Sequence, residues 1–372
     1  MDHAIESPIA LFFKGLRSNR VAFYSCVVIL IMTLLSLSAY LVIADDSPNA
    51  NNQIPEIALR KPMSDIKLLK VKTSNESKTG FVSGMIFGFP RNYRQLAFDS
   101  LHCAANDVSL FYAGKQKFIT YDQILSEEKL SLSVEEKAKY ITDKLTTVQT
   151  FLLGTDKYGR SVLSRLILGI RVSLLVGLLA VIVSLFVGVT LGAAGGYYGG
   201  WIDQVLLYFI NVVWAIPTLL LVFAIVLALG RGMGIIFFAI GLTMWVDVAR
   251  IVRGQVMEVK NQLYVQAAKS LGQKSHLILF KHILPNIMGP ILVVTAANFA
   301  TAILVEAGLS YLGFGINPPT PSLGNMLNEN YGYALSGYYT LALAPALVVS
   351  ILVLCFNLLG TGLRDVFDVR KE

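Results

Sequence analysis

Side chains able to do chemistry are sparse in this sequence, and most of them sit inside or beside long apolar runs. Asp247 and Glu306 are the ionisable residues nearest the middle of such runs. A charge there costs about 3 kcal/mol on an insertion scale, so each must face other protein or one end of its run. No Gly-x-x-x-x-Gly-Lys-Ser/Thr stretch occurs, so the chain has no phosphate-cradling loop of its own. Gly230, Gly232 and Gly234 do not make a dinucleotide fingerprint and read as a tight turn between two apolar segments. His276 and His282 flank Lys281 on a basic stretch and read as solvated surface, so no metal site is expected. Cys26 and Cys355 lie in apolar runs and only Cys103 lies in a polar region, which leaves no disulfide framework.

The most informative stretch is a basic connection between two apolar runs, residues 252–285. Val252, Val256, Val259 and Leu263 fall at i, i+4, i+7 and i+11 and predict an apolar stripe on a helix that continues past the membrane. Gln266, Ala267 and Ala268 then offer small surfaces that another protein can approach closely. Gly272 suits a left-handed helix stop, and a return helix runs up to Leu284 and Pro285.

These elements need a membrane around them. The chain is 55% hydrophobic and only 15% charged, with a mean hydropathy of +0.61, too apolar for an ordinary soluble domain. Its net charge of +7 gathers at the ends of apolar runs, which argues for loops at a membrane face and against a nucleic-acid partner. Apolar runs at 21–44, 172–194, 205–229, 235–251, 287–312 and 338–359 predict an all-α integral membrane protein with six transmembrane helices. The first run is too long for a cleavable signal, whose apolar segment is about 7 to 15 residues, and reads as a retained span. Six spans put both termini on one side. Arg250, Arg253, Lys260, Lys269, Lys274 and Lys281, with Arg364, Arg370 and Lys371 after the last span, place that side in the cytoplasm; residues 313–337 hold no Lys or Arg. Lys157, Arg160, Arg165 and Arg171 fall on the other side and are expected to pack against protein. A re-entrant segment at 161–170 would upset the parity.

Residues 1–20 thus form a cytoplasmic N-terminus, 21–44 the first span, 45–150 an outward insertion domain, 151–363 the remaining transmembrane domain, and 364–372 a cytoplasmic tail. Within the insertion, 49–78 reads as loop or disorder. Residues 84–124, with Phe87, Phe89, Tyr93, Phe98, Phe111, Tyr112, Phe118 and Tyr121, are aromatic enough to pack a small core of α+β character. Ser133 and Glu136 predict a capped helix over 134–145. Gly188, Gly192 and Gly196 recur every four residues and predict close helix contact; Pro217, Pro285 and Pro290 predict interrupted or bent helices.

Gln266-Ala267-Ala268, Gly272 and Leu284-Pro285 resemble the Glu-Ala-Ala loop of ABC-importer permeases, with Gln266 in place of the usual Glu. Leu153-Gly154-Thr155-Asp156, Gly159-Arg160, Ser164-Arg165, the run Gly195 to Gly200 with Asp203, Glu306 to Gly313, Pro318 to Gly324 and Gly362 to Asp365 resemble the DppC/OppC type of dipeptide and oligopeptide importers. The likeness covers the first span and about 151 to the C-terminus; the insertion falls outside it. It implies the type I ABC-importer permease fold in a bacterial inner membrane. It also implies a non-enzymatic subunit paired with a companion permease, two ATP-binding subunits that supply ATP and Mg, and an extracytoplasmic substrate-binding protein. In that family the loop docks on the ATPase; the amide of Gln266 keeps the shape but removes any ion pair. Asp247 and Glu306 become candidates for contact with a peptide amine, and the family pattern favours Glu306 as a brace at the outer end of its span. Nickel chelates or antimicrobial peptides are alternative cargo. An ion-coupled carrier would need a carboxylate relay and an inverted repeat that the sequence does not show. The insertion is expected to touch the binding protein or cap the outer mouth.

Overall fold

The computed structural model describes residues 19–73 and 80–368. The N-terminal tail with Lys14 and Arg17, the Ser-Asn-Glu-Ser-Lys stretch at 74–78, and Arg370 and Lys371 lie outside the described residues.

Helix α1 (Arg20–Leu37) opens on Asn19, whose side chain accepts from the amides of Val21 and Ala22. It continues through a short helical turn, Ala39–Val42. The insertion follows as two three-stranded antiparallel sheets. In the first, β1 (Ser64–Lys72) lies between β2 (Tyr93–Phe98) and β6 (Thr146–Phe151), and a helix α2 (Phe81–Phe87) falls between β1 and β2 in the chain. The second is a meander of β3 (Ser100–Cys103), β4 (Asp107–Tyr112) and β5 (Lys115–Thr120). Leu69, Val71, Leu96, Phe98, Leu110 and Tyr121 make a core between them.

The loop expected across 49–78 is therefore corrected: a nine-residue central strand occupies its second half. Lys67, Lys70 and Lys72 on β1 dilute the apolar signal, while Ile66, Leu68, Leu69 and Val71 bury. The aromatic core is also smaller than expected, since Phe87 and Phe118 are 69% and 64% exposed. Ser133 and Glu136 do form a reciprocal capping box on α3 (Val134–Tyr140), which ends in a π-helical turn, Ile141–Leu145. The Ser133 amide and hydroxyl hold the Glu136 carboxyl below the usual carboxylate range.

The chain then enters α4 (Val162–Tyr198), 37 residues long and about 55 Å at 1.5 Å per residue. That exceeds a bilayer, so its first turns belong to the insertion end of the bundle. Residues 161–170 are continuous with this span, whose start moves back from the expected 172. The expected single span over 205–229 is two helices, α5 (Gly200–Trp214) and α6 (Thr218–Leu229), bent by 90°. The break falls at Pro217, which has no amide to continue the ladder. Next come α7 (Met233–Val259), a short α8 (Leu263–Ser270) and a helical stretch 275–287 leading into α9 (Met288–Tyr311). Helices α10 (Leu323–Leu335) and α11 (Thr340–Asp368) complete the chain. Among the described residues five helices are long and apolar enough to cross a membrane, or six when the bent pair counts as one.

Contacts fix their directions. Gly241 meets Ala180 and Val183, Gly188 meets Trp245 and Val248, Gly192 meets Ala249, and Gly196 meets Arg253 and Val256, so α4 and α7 run parallel. Ser173 pairs with Glu306 and Ser184 with Asn298, so α9 runs back against α4. At the end opposite the insertion, Gly362 of α11 packs on Ala22 and Asp365 accepts from Asn19. The first and last helices therefore end together, at the same face as α8.

Glycine is required along α4 because the backbones touch. A Cβ at Gly192 would lie 2.5 Å from the Ala249 carbonyl oxygen, and one at Gly196 would lie 2.7 Å from that of Arg253. Gly192→Leu should therefore lower stability by about 1–3 kcal/mol or more through overpacking. Gly254→Ala, with nothing within 4 Å of the added carbon, should be neutral or gain up to about 1 kcal/mol. Thermal unfolding in detergent compares the two, and equal effects would refute close packing of α4 on α7.

Candidate functional site

At the end opposite the insertion, α8 hangs from the bundle on a few defined contacts. Helix α7 stops at Val259, and the Lys260 ammonium just beyond it donates to the Gly196 carbonyl in the last turn of α4 at 2.8 Å. Val252, Val256 and Val259 are buried as the stripe predicts. Leu263 is not: it starts a separate helix after a turn and is 84% exposed. In α8, Val265 and Ala268 face inward, joining Val252, Val256, Ile283 and Ile287 in one apolar cluster. Gln266 and Ala267 face solvent, and the Gln266 amide donates to the Asn261 carbonyl.

Gly272 stops the helix with φ +77°, the left-handed conformation that glycine adopts without strain. Its amide bonds the Lys269 carbonyl and the next amide, Gln273, bonds that of Ala268, the paired bonds of a Schellman cap. The return limb passes through a π-turn at Leu279–Ile283 and a 3₁₀ turn at Leu284–Ile287, where Pro285 supplies no amide donor. Asn286 ties the two limbs by donating to the Tyr264 hydroxyl at 2.7 Å. Leu263 and Leu271, 84% and 86% exposed at the two ends of α8, bracket Ala267 with apolar surface that nothing among the described residues covers.

The tight turn before α5 belongs to the same face. Gly199 and Gly200 both take positive φ, and just beyond them Asp203 forms a bidentate ion pair with Arg253 of α7.

Midway along α7, Asp247 lines a cavity of about 210 Å³ at the break between α5 and α6, with Trp214, Pro217, Thr218, Thr243 and Thr301. The Trp214 indole donates to Asp247 at 3.0 Å, and the Arg250 guanidinium stacks 3.5 Å from the Trp214 ring centre. Trp214, Thr218 and Thr301 are exposed on this face. Polar groups at membrane depth face a bundle interior or water, so this face is not a lipid face.

Glu306 is elsewhere. It is fully buried and accepts from the Ser173 and Ser310 hydroxyls, both at 2.8 Å, with Ser322 also bonded to it. It bolts α9 to α4 and to the start of α10, and does not line the Asp247 cavity.

A charged hub that sequence reasoning did not assemble lies at the insertion end. Arg160 donates to Asp156 at 2.6 Å and to Glu329 of α10 at 2.8 Å, and Arg165 lies 3.8 Å from the same Glu329. Arg160 and Arg165 are buried, so the basic cluster there is engaged by protein. The missing partner was α10, whose Ser322 cap ahead of Leu323 and Met326 was the available signal.

The family model described as the binding-protein-dependent transport system inner membrane component matches residues 184–372. The chain belongs to this family. The permease is 42% identical over 215 residues to the dipeptide transport system permease protein DppC of Bacillus subtilis, spanning 58% of this chain and 67% of that protein. It is 41% identical to the oligopeptide transport system permease protein OppC of the same organism, over 58% and 70% of the two chains. It is 39% identical to the glutathione transport system permease protein GsiD of Pectobacterium atrosepticum, over 59% and 73%. An inward-facing structure of the MetNI methionine ABC transporter aligns at 19% identity with a TM-score of 0.44, covering 55% of the permease and 97% of that chain.

The two intramembrane carboxylates should separate by experiment. Glu306→Leu leaves three hydroxyls without their acceptor and should cost about 1–3 kcal/mol of stability. Asp247→Asn keeps an acceptor for Trp214 and should leave thermal unfolding unchanged while altering uptake. A stable Glu306→Leu with altered uptake would instead put Glu306 on the solute path.

Proposed function

We propose that this permease forms half of the passage of an ATP-driven importer of di- and oligopeptides, with α8 as the element that receives work from an ATP-hydrolysing partner. The single observation behind the proposal is the exposed apolar surface of Leu263 and Leu271 around Ala267, on a helix whose inner face is locked into the span cluster. A surface so built transmits displacement. Val265 and Ala268 press on the residues that carry α7 and α9, and α7 leads back to the Asp247 cavity.

The chain itself binds no nucleotide in this reading; ATP and Mg belong to two partner subunits, and a companion permease completes the passage. The basic residues around α8 place that face, and both termini, in the cytoplasm of a bacterial inner membrane. The insertion then faces outward, where a binding protein delivers cargo. Trp214, Thr218, Asp247 and Thr301 are the proposed wall of the path. Peptide cargo is supported by the names of the relatives, which include dipeptide, oligopeptide and glutathione systems. Switching between two facing states needs only that the closed ATPases bind one state better than the other.

Ala267→Trp should abolish peptide uptake and uptake-linked ATP hydrolysis in proteoliposomes, because the indole stands on the exposed docking face. Gly272→Pro, which removes the cap amide and the positive φ, should do the same. Both variants should still insert into the membrane. Wild-type uptake by Ala267→Trp would overturn the role assigned to α8.

A further inference from the structure

Four large apolar side chains of α2 have no cover among the described residues: Phe81, Val82, Ile86 and Phe87 are 65%, 69%, 48% and 69% exposed. At 100° per residue, Phe81, Val82 and Ile86 fall within an arc of about 140°. The helix is not a loose appendage. Gly84 faces the protein, where a side chain would collide with the Phe89 ring, and the Phe89 amide bonds the Asp46 carbonyl at 2.8 Å. Gly88 lies directly against Pro48. The Arg171 guanidinium, reaching from α4, donates to the Met85 and Ile86 carbonyls at 3.3 and 3.1 Å and sits 5.9 Å from the Tyr40 ring centre. One face of α2 is thus fixed by the fold, and Val82 and Ile86, with Phe81 beside them, stand on the side away from Gly84.

Its height in the membrane follows from α1. Tyr40 lies twenty residues beyond Arg20, roughly 30 Å along a helix, which is the thickness of the hydrocarbon core. Tyr40 and Arg171 therefore mark the hydrocarbon boundary, the level at which aromatic rings and long basic side chains collect. Leu34 and Leu37 just below this level, and Leu41 and Val42 at it, are each more than half exposed. The uncovered face of α2 continues that lipid-facing surface.

We propose that α2 is an interfacial anchor: it lies in the headgroup layer of the insertion-side leaflet, its apolar face dipped into lipid, and pins the two-sheet insertion down on the bilayer. The occupant of the exposed face is a lipid surface, not a protein.

The test uses the full chain purified with co-expressed partner subunits in nanodiscs, with Cys26, Cys103 and Cys355 replaced by alanine. A fluorophore is placed on Val82→Cys or Ile86→Cys. A matched label on Phe118→Cys, an exposed apolar position on β5, serves as the control. Lipids brominated near the carbonyls should quench the labels at 82 and 86 and not the one at 118, and aqueous iodide should give the reverse pattern. Iodide quenching at 82 and 86 equal to that at 118 would overturn the proposal. Protection from both quenchers would overturn it too, because it would show a protein covering the helix.

Discussion

The backbone contact between α4 and α7 is the constraint on which the rest of the bundle depends. In lipid, helices gain nothing by hiding apolar side chains from one another, so association rests on close packing and on hydrogen bonds. Gly188, Gly192 and Gly196 on α4 and Gly241 on α7 remove the side chains that would hold the axes apart. Gly177 does the same toward Phe299 of α9. Because α4 and α7 are parallel, the chain must return between them, and the α5–α6 pair makes that return with a sharp bend. The break at Pro217 follows from the missing proline amide, and the polar cavity beside Asp247 lies at it.

Polar locks then decide which helices share the seam. Glu306 reaches Ser173 across the bundle and Asn298 reaches Ser184 and the Met244 carbonyl. Both sit where a slip of one turn would strand a buried polar group. Such a group costs about 1–3 kcal/mol when left unpaired. At the insertion end, Arg160 and Arg165 with Asp156 and Glu329 perform the same task for charges. A buried pair of this kind specifies an arrangement more than it stabilises one, since breaking it is costly and forming it gains little. The Gly154 and Gly159 turns press against the Arg60 and Ile54 carbonyls, so this clasp also fixes where the insertion sits.

The spans were legible in the sequence because an unbroken apolar run of about twenty residues matches the thickness of a bilayer and has no stable place in water. Helix α8 and its cap were legible because Gly272 and the small residues before it carry a local mechanism. Legibility failed where the information is not local. Strand β1 carries lysines on its exposed positions, and only pairing with β2 and β6 reveals it as a central strand. The bend at Pro217 looked like one span because hydropathy averages across it. Leu263 fitted the helical stripe arithmetically but lies past a turn at Lys260–Gln262 that resets the phase. Glu329 could not be tied to Arg160, 169 residues away, without the fold.

Within the proposed transport cycle, the path of force from α8 to the cavity is short and stiff. Val265 and Ala268 share a cluster with Val252 and Val256 of α7 and with Ile287 and Ile291 at the foot of α9. Close-packed interiors transmit strain and do not absorb it. Displacement at α8 therefore moves the feet of α7 and α9 together, and α4 follows α7 because their backbones are in contact. The α5–α6 pair is tied to this unit by the Asp203–Arg253 pair at the foot, by Trp214 against Asp247 and Arg250 at mid-height, and by Leu206, Ile210, Val222 and Val226, which bury against it. Its break at Pro217 lies between the Trp214 tie and the Phe223–Phe314 contact near the far end. A rigid three-helix unit moving against a jointed pair changes the gap between them most at the joint, and the joint is where the polar cavity lies.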